Sequence, residues 1–371
     1  MKILFTGGGS GGHIFPIIAI SRELRRLYEK DDLHFDYIGP SNSTGILQLT
    51  QEPLFGIHYI ASGKLRRYFS LLNILDLAVM IPFSFLQSFL ILLFHRPNLV
   101  FSKGGTGSLP VTYAARLLFI PVFLHESDIV PGLSNRITSK WAKKVFTSFE
   151  KTEYFDLSKT ICVGTPIKKE LLEGDATTAK ELFHLAGGKP VIMFWGGSQG
   201  AEPLNDFVIL TINDLLKNYE VIHVCGKKNL AETQAEIDVM LQKELVAYYH
   251  LYNELDEVRL KHAYHIADII ISRAGSASIF ELAACGKPSI LIPLPSAAGD
   301  HQSKNAHAYE ASGATIVIEQ DNVTPHFFFS KIQHLLASPE KMEAMRQTAL
   351  AFAKPLAAKA VAREILEYLQ K

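Results

Sequence analysis

The chain has 371 residues, with Lys plus Arg and Asp plus Glu equal at 37 each, and three cysteines. One hydrophobic core organises roughly 250–300 residues, so a chain of this length predicts two domains. Balanced charge excludes a global field for nucleic acid or anionic membrane, and Cys162, Cys225 and Cys285 are spaced for neither a disulfide framework nor a zinc site, which fits a reducing cytosol.

Residues 2–6 read as a buried strand that starts right after Met1. The glycines at 7–12 end that apolar run before it reaches signal-peptide length, which predicts a cytoplasmic protein with no cleaved leader. Further short apolar runs at 35–38, 99–102, 122–125 and 145–147 alternate with segments of helical period. That alternation predicts a parallel sheet with crossover helices. After Gly164 the pattern restarts, with runs at 191–195, 220–225, 250–251, 269–272, 289–293 and 315–318. Two similar βα halves joined near Gly164 are the simplest parse. Pro355 opens a last segment, 355–371, whose Leu356, Ala360, Ile365 and Leu369 follow helical spacing, as a terminal helix packed on one domain would.

One segment departs from this picture. Residues 77–94 carry no charge, and Lys64, Arg66 and Arg67 precede them. The length just reaches the transmembrane threshold of about 18 residues, yet the segment lies between strands of one sheet, and Pro82 interrupts it. The reading is a helix pair, partly core and partly membrane-facing, with basic residues beside it suited to anionic lipid. A buried apolar crossover helix is the plainer alternative.

Three glycine-rich turns, at 7–12, 104–107 and 196–200, each follow an apolar run and precede a helical segment. Glycine lets the backbone take positive φ and approach a ligand, while the helix that follows aims unpaired N–H groups at an anion. The chain is thus built around a phosphorylated ligand. Gly7, Gly9 and Gly12 satisfy G-x-G-x-x-G, but residues 39–41 after the second strand supply no acid for a ribose, which disfavours a dinucleotide. His13 and Ile14 follow Gly12 where a P-loop needs Lys and Ser or Thr. No Asp-x-Asp pair or His/Cys cluster in the sequence marks a metal site. Amides, hydroxyls and helix dipoles must then stabilise a departing pyrophosphate.

Candidate chemistry follows from these turns. Ser198 is a phosphate or sugar contact, or a plain helix N-cap. His13 opens the first helix, whose dipole favours a neutral ring; it is either a general base or a contact to phosphate or backbone. Glu126 and Asp128 are the other candidate bases, or solvated caps of their turn. Glu281 lies inside a helix after a small-residue turn, where it can face a ribose diol or favour the helix dipole. Residues 299–305 offer sugar-hydroxyl partners at a strand's carboxyl end.

Taken together, residues 8–16, His125-Glu126, residues 196–201, Ser272-Arg273-Ala274-Gly275 with Glu281, and residues 300–306 resemble the MurG family of bacterial N-acetylglucosamine transferases almost end to end. The resemblance implies an α/β protein of GT-B fold, two Rossmann-like domains with parallel sheets facing across a cleft. Residues 1–163, with a C-terminal helix of about 350–371 packing back, would bind acceptor and membrane; residues 164–349 would bind the UDP-sugar donor. The implied reaction moves N-acetylglucosamine from UDP-N-acetylglucosamine, a substrate and not a cofactor, to the muramyl C4 hydroxyl of undecaprenyl-linked lipid I. The product is lipid II for peptidoglycan, formed in one inverting displacement with no bound metal needed for the fold.

Carried over by motif, His13, Glu126 and Asp128 would be catalytic. Donor contacts would come from Ser10, Gly11, Gly12, Lys168, Ser198, Gln199, Leu255 (near uracil), Ser276, Glu281 (on the ribose) and Gln302. Gly104, Gly105, Thr106 and Asp128 would meet the acceptor. Thr106, Asp128 and Lys168 depart from the family's usual Tyr, Asn and Arg, which bears on the acceptor more than the donor. The implied location is the cytoplasmic face of the inner membrane, held peripherally through residues 64–94. A UDP-sugar 2-epimerase on the same fold and a non-catalytic nucleotide-sugar-binding membrane subunit are the alternatives.

Overall fold

The computed structural model describes residues 1–30, 32–53, 55–61, 79–105, 107–150, 154–197 and 200–371. The chain divides into two compact units, Met1–Lys168 with Pro355–Lys371, and Lys169–Lys354.

The first unit holds seven parallel strands in the order β3-β2-β1-β4-β5-β6-β7: β1 Lys2–Gly8, β2 His34–Gly39, β3 Phe55–Tyr59, β4 Leu99–Gly105, β5 Val122–Glu126, β6 Lys144–Thr147 and β7 Thr160–Cys162. Helices cover both faces, so a central strand such as β1 is buried along almost its whole length. Alternation still sorts its side chains. Ile3 and Phe5 join Phe35, Tyr37 and Phe101 under the helix Gly11–Leu27, while Leu4 joins Ile38, Val100 and Val122 under the helices Ile81–His95 and Ser108–Leu117. The terminal helix Ala357–Leu369 completes the first of these layers with Ala358, Val361, Ala362, Ile365 and Leu366, an apolar stripe at helical spacing. Glu364 of that helix pairs with Lys144 on β6.

The second unit has six parallel strands in the order β10-β9-β8-β11-β12-β13: β8 Val191–Trp195, β9 Glu220–Val224, β10 Tyr249–Tyr252, β11 Ile269–Ser272, β12 Ser289–Leu291 and β13 Thr315–Val317. Ile192, Phe194, Ile269, Ile271 and Ile290 meet Val208 and Leu215 of the helix Glu202–Asn218 and Phe328 of the helix Pro325–Leu336. Numbered from its own first strand, the second sheet runs 3-2-1-4-5-6 and the first runs the same way with a seventh strand added, and the order reverses between β1 and β4 and between β8 and β11. In doubly wound sheets the ligand crevice lies outside the carboxyl ends of the strands at such a switch point.

Within residues 77–94 the described part is the helix Ile81–His95; the proposed first helix of the pair, with Lys64, Arg66 and Arg67, lies outside the described residues. Pro82 does not interrupt this helix. It stands in the first turn, where a missing N–H costs nothing. Among the described residues no helix is long and apolar enough to cross a membrane.

Candidate active site

In the first unit two glycine turns flank the switch point. Gly8 ends β1 and stands opposite Gly105 at the end of β4. Gly105 has φ +83°, and a Cβ there would lie 2.2 Å from the Gly8 carbonyl and 2.8 Å from the His13 ring. The imidazole therefore rests on the second glycine turn. Ser10 is the N-cap of the helix Gly11–Leu27 but makes no side-chain cap bond; its hydroxyl lies 3.3 Å from His13 Nδ1. Ser10, Gly11, Gly12 and His13 thus line the start of a helix with no acid in its first turn, the end at which a partial positive charge collects.

Gly104, at φ +84°, makes room in the same way for Asn135, whose amide a Cβ would strike at 2.4 Å. Asn135 Nδ2 donates to Glu126 Oε2 at 2.8 Å, the Gly132 N–H donates to the same oxygen at 3.1 Å, and the Asp128 N–H donates to Oε1 at 2.9 Å. Three donors on one buried carboxylate make Glu126 the brace of the 126–132 turn. Burial first, and then the Asp128 carboxylate, raises its pKa above the ordinary carboxylate range, while Lys103 opposes the shift. Lys103 is itself buried on β4 and donates to Ser127 Oγ. Burial draws its ammonium down to about 8, against the pull of Glu126 and Asp128. His125, fully buried, donates from Nε2 to the Gly164 carbonyl at 2.9 Å; burial and then Lys103 hold its pKa well below the usual value, so the ring is neutral. Thr106 lies outside the described residues, and Lys168 places its ammonium 5.0 Å from the Phe15 ring centre.

In the second unit the turns flanking β8 and β11 are built differently. Gly197 and Gly200 both have φ +78°, and a Cβ on Gly200 would lie 2.3 Å from the Cys225 carbonyl. Beneath them Asn205 Nδ2 and Asn229 Nδ2 donate to that carbonyl at 3.0 and 2.9 Å. His223 bridges Asn205 Oδ1 at 3.0 Å and Tyr249 Oη at 2.8 Å, and burial pushes its pKa down to about 3. Ser198 and Gln199 lie outside the described residues. After β11, Gly275 is the N-cap of the helix Ser276–Ala284, and a Cβ on it would meet nothing within 4 Å. Ser276 is buried at the helix start. Glu281, in the second turn, accepts from Tyr264 Oη at 2.8 Å. Gln302 Oε1 accepts from the Leu294 N–H at 3.0 Å, and Leu255 is buried beyond the end of β10. Arg273 is spent on structure: its guanidinium donates to the carbonyls of Ile292 and Pro293 and to Gln320 Oε1.

The fold thus gathers His13, Ser10, Gly104, Gly105, Glu126 and Asp128 in one unit, with Gly11, Gly12 and Lys168, and Leu255, Ser276, Glu281 and Gln302 in the other. Sequence reading passed over Lys103 and Asn135; a lysine inside the apolar run of β4 was the available signal. It also passed over Asp36, His58 and His95, which the tertiary structure brings together.

Residues 3–147 match the glycosyltransferase family 28 N-terminal domain, and residues 191–361 match the glycosyltransferase family 28 C-terminal domain. A Clostridium kluyveri relative, the UDP-N-acetylglucosamine–N-acetylmuramyl-(pentapeptide) pyrophosphoryl-undecaprenol N-acetylglucosamine transferase, is 40% identical over 90% of this chain and 91% of its own. The crystal structure of Acinetobacter baumannii MurG superposes with TM-score 0.72 at 24% identity, covering 99% of each chain. A Neisseria meningitidis UDP-GlcNAc 2-epimerase bound to UDP-GlcNAc gives 0.69 at 15%, covering 99% of this chain and 100% of its own, a likeness of fold alone. Two Rossmann-like α/β units of the GT-B class, both family 28 domains and 40% identity across nine-tenths of the chain lead to one conclusion: this chain is a glycosyltransferase of family 28 and belongs to its MurG family.

Proposed function

We propose that the chain transfers N-acetylglucosamine from UDP-N-acetylglucosamine to the C4 hydroxyl of the muramyl group of undecaprenyl-linked lipid I, giving lipid II with inversion at the anomeric carbon. The observation that carries this reading is kinship with the clostridial transferase across nearly the whole length of both proteins. In this reading His13 takes the proton of the acceptor hydroxyl as its oxygen bonds to the anomeric carbon, and the bond to UDP breaks on the opposite face. Ser10 orients the imidazole. Glu126, which accepts from the Asp128 and Gly132 N–H groups and from Asn135, positions the 126–132 turn, and Asp128, Gly104, Gly105 and Thr106 meet the acceptor.

Residues 164–349 bind the donor. Glu281 holds the ribose diol, Leu255 packs near uracil, Ser276 and Gln302 reach the transferred sugar, and Ser198 and Gln199 reach the diphosphate. Amide N–H groups of the glycine turns stabilise charge on the departing UDP. Contacts from Ser10, Gly11, Gly12 and Lys168 complete the donor set.

The acceptor's lipid calls for a peripheral station on the cytoplasmic face of the inner membrane. The helix Ile81–His95 supports this: Phe83, Leu86, Leu90 and Phe94 form an exposed apolar stripe, with Phe94 78% exposed.

Incubating the purified protein with labelled UDP-N-acetylglucosamine and lipid I tests the assignment. Label enters a lipid product. Release of free sugar, conversion to the manno epimer, or donor binding without turnover would each reject it.

A further inference from the structure

On the face of the first sheet away from the terminal helix, three side chains converge that no step of the transfer uses. β2 and β3 pair in parallel with Asp36 opposite Gly56 and Ile38 opposite His58. Asp36 and His58 therefore stand on the same face, one pleat apart. The helix Ile81–His95 packs over that face and ends at His95. Asp36 Oδ1 lies 3.1 Å from His58 Nε2, and Asp36 Oδ2 lies 3.6 Å from His95 Nδ1. The two imidazole rings meet nearly edge to face, 4.4 Å between centroids. One ligand atom from each residue can be chosen so that all three lie within 4.8 Å of one another.

The surroundings suit a cation. The Asp36 side chain is only 12% exposed beside the cluster of Ile38, Ile60 and Leu92, where an unpaired carboxylate would be costly. Gly56 makes its position possible, because a Cβ there would lie 2.5 Å from Asp36 Oδ1 and 3.6 Å from His58 Nε2. His95 is the last residue of its helix, the end at which the macrodipole favours positive charge, and the Lys2 ammonium already lies 3.4 Å from the His95 carbonyl. The His58 and His95 side chains are 25% and 37% exposed, so an ion has a route in and room for water as a further ligand.

We propose that Asp36, His58 and His95 form a binding site for one divalent transition-metal ion of the zinc class, clamping the end of the helix Ile81–His95 to the edge strands β2 and β3. Two imidazoles and one carboxylate match zinc, nickel, copper or iron; magnesium and calcium prefer all-oxygen sites. Occupancy requires both imidazoles neutral at the ligating nitrogen. The ion is structural, so the site stands or falls independently of the transfer reaction.

The test uses the full chain, free of any histidine tag and stripped with a chelator. Zinc titrated by calorimetry binds with one-to-one stoichiometry, cobalt titration develops visible ligand-field absorption, and zinc raises the thermal unfolding midpoint. His58→Ala and His95→Ala each weaken zinc binding by at least about tenfold, whereas His326→Ala, at an exposed histidine elsewhere, does not. Far-UV circular dichroism of the metal-free variants checks folding, and His95→Gln replaces any variant that fails. The proposal is overturned by absence of saturable binding in the wild type, or by binding that survives loss of either histidine in a folded variant.

Discussion

The two units share one strand order and solve different problems at their switch points. In the first unit the glycine turns stand over ionisable groups: His13 rests on Gly105, and Lys103 and Glu126 are buried beside the same turn. In the second, His223 is held uncharged between Asn205 and Tyr249 beneath the first turn, and the Arg273 guanidinium beside the other is taken up by backbone carbonyls and Gln320. Strand order decides where a ligand can sit. In the proposed reaction the groups under the turns set the division of labour, proton transfer in the first unit and anion binding in the second.

This contrast is exposed to four tests. The largest effect is expected from His13→Ala, which lowers kcat by roughly 10²–10⁴-fold, the span of general acid–base catalysis, while donor affinity measured by calorimetry stays within about threefold. An equal loss of donor affinity would move His13 from proton transfer to phosphate contact. Next comes Lys103→Met, read by urea unfolding across pH. The unfolded chain holds this proton to about 10.4, the folded chain only to about 8. Between those values the unfolded state binds more protons, so wild-type stability rises with pH there, by at most about 3 kcal/mol. The variant lacks that rise; parallel pH profiles for the two proteins would show that Lys103 does not carry it.

Glu281→Ala tests the other unit. Loss of a charged hydrogen bond worth about 1.5–3 kcal/mol raises the donor KM roughly tenfold to a hundredfold. Tyr264→Phe, which removes only the hydroxyl on Glu281, leaves donor KM near wild type. If both variants shift KM alike, Glu281 acts through packing and not on the ribose. The smallest effect belongs to Phe83→Ser with Phe94→Ser: binding to anionic vesicles falls about tenfold, as expected for two exposed apolar side chains, with transfer to a water-soluble acceptor analogue unchanged.

The glycine turns were legible because only glycine tolerates what Gly104, Gly105 and Gly200 do, a positive φ with another atom where a Cβ would be. The strand alternation was legible because parallel strands buried on both faces read as apolar runs. β3 and β7 escaped notice: β3 is an edge strand with His58 among its apolar residues, and β7 is three residues long. Glu126 read as a candidate base or a solvated cap of its turn; its donors, the Asp128 and Gly132 N–H groups and Asn135, are named only once the turn is folded. Asp36, His58 and His95 were invisible for a related reason. They lie 22 and 37 residues apart along the chain and meet only through strand register and one helix end.

The terminal helix has a bearing on biosynthesis. Val361, Ile365 and Leu366 seal the layer of the first unit that contains Phe5 and Ile17, although nearly 200 residues of other structure intervene in the chain. A ribosome therefore releases every part of the Lys169–Lys354 unit before it delivers the piece that shuts the amino-terminal core. The earlier-made body waits with an apolar flank uncovered until that helix arrives. Nascent chains stalled just short of position 357 are the species that chaperones should hold longest.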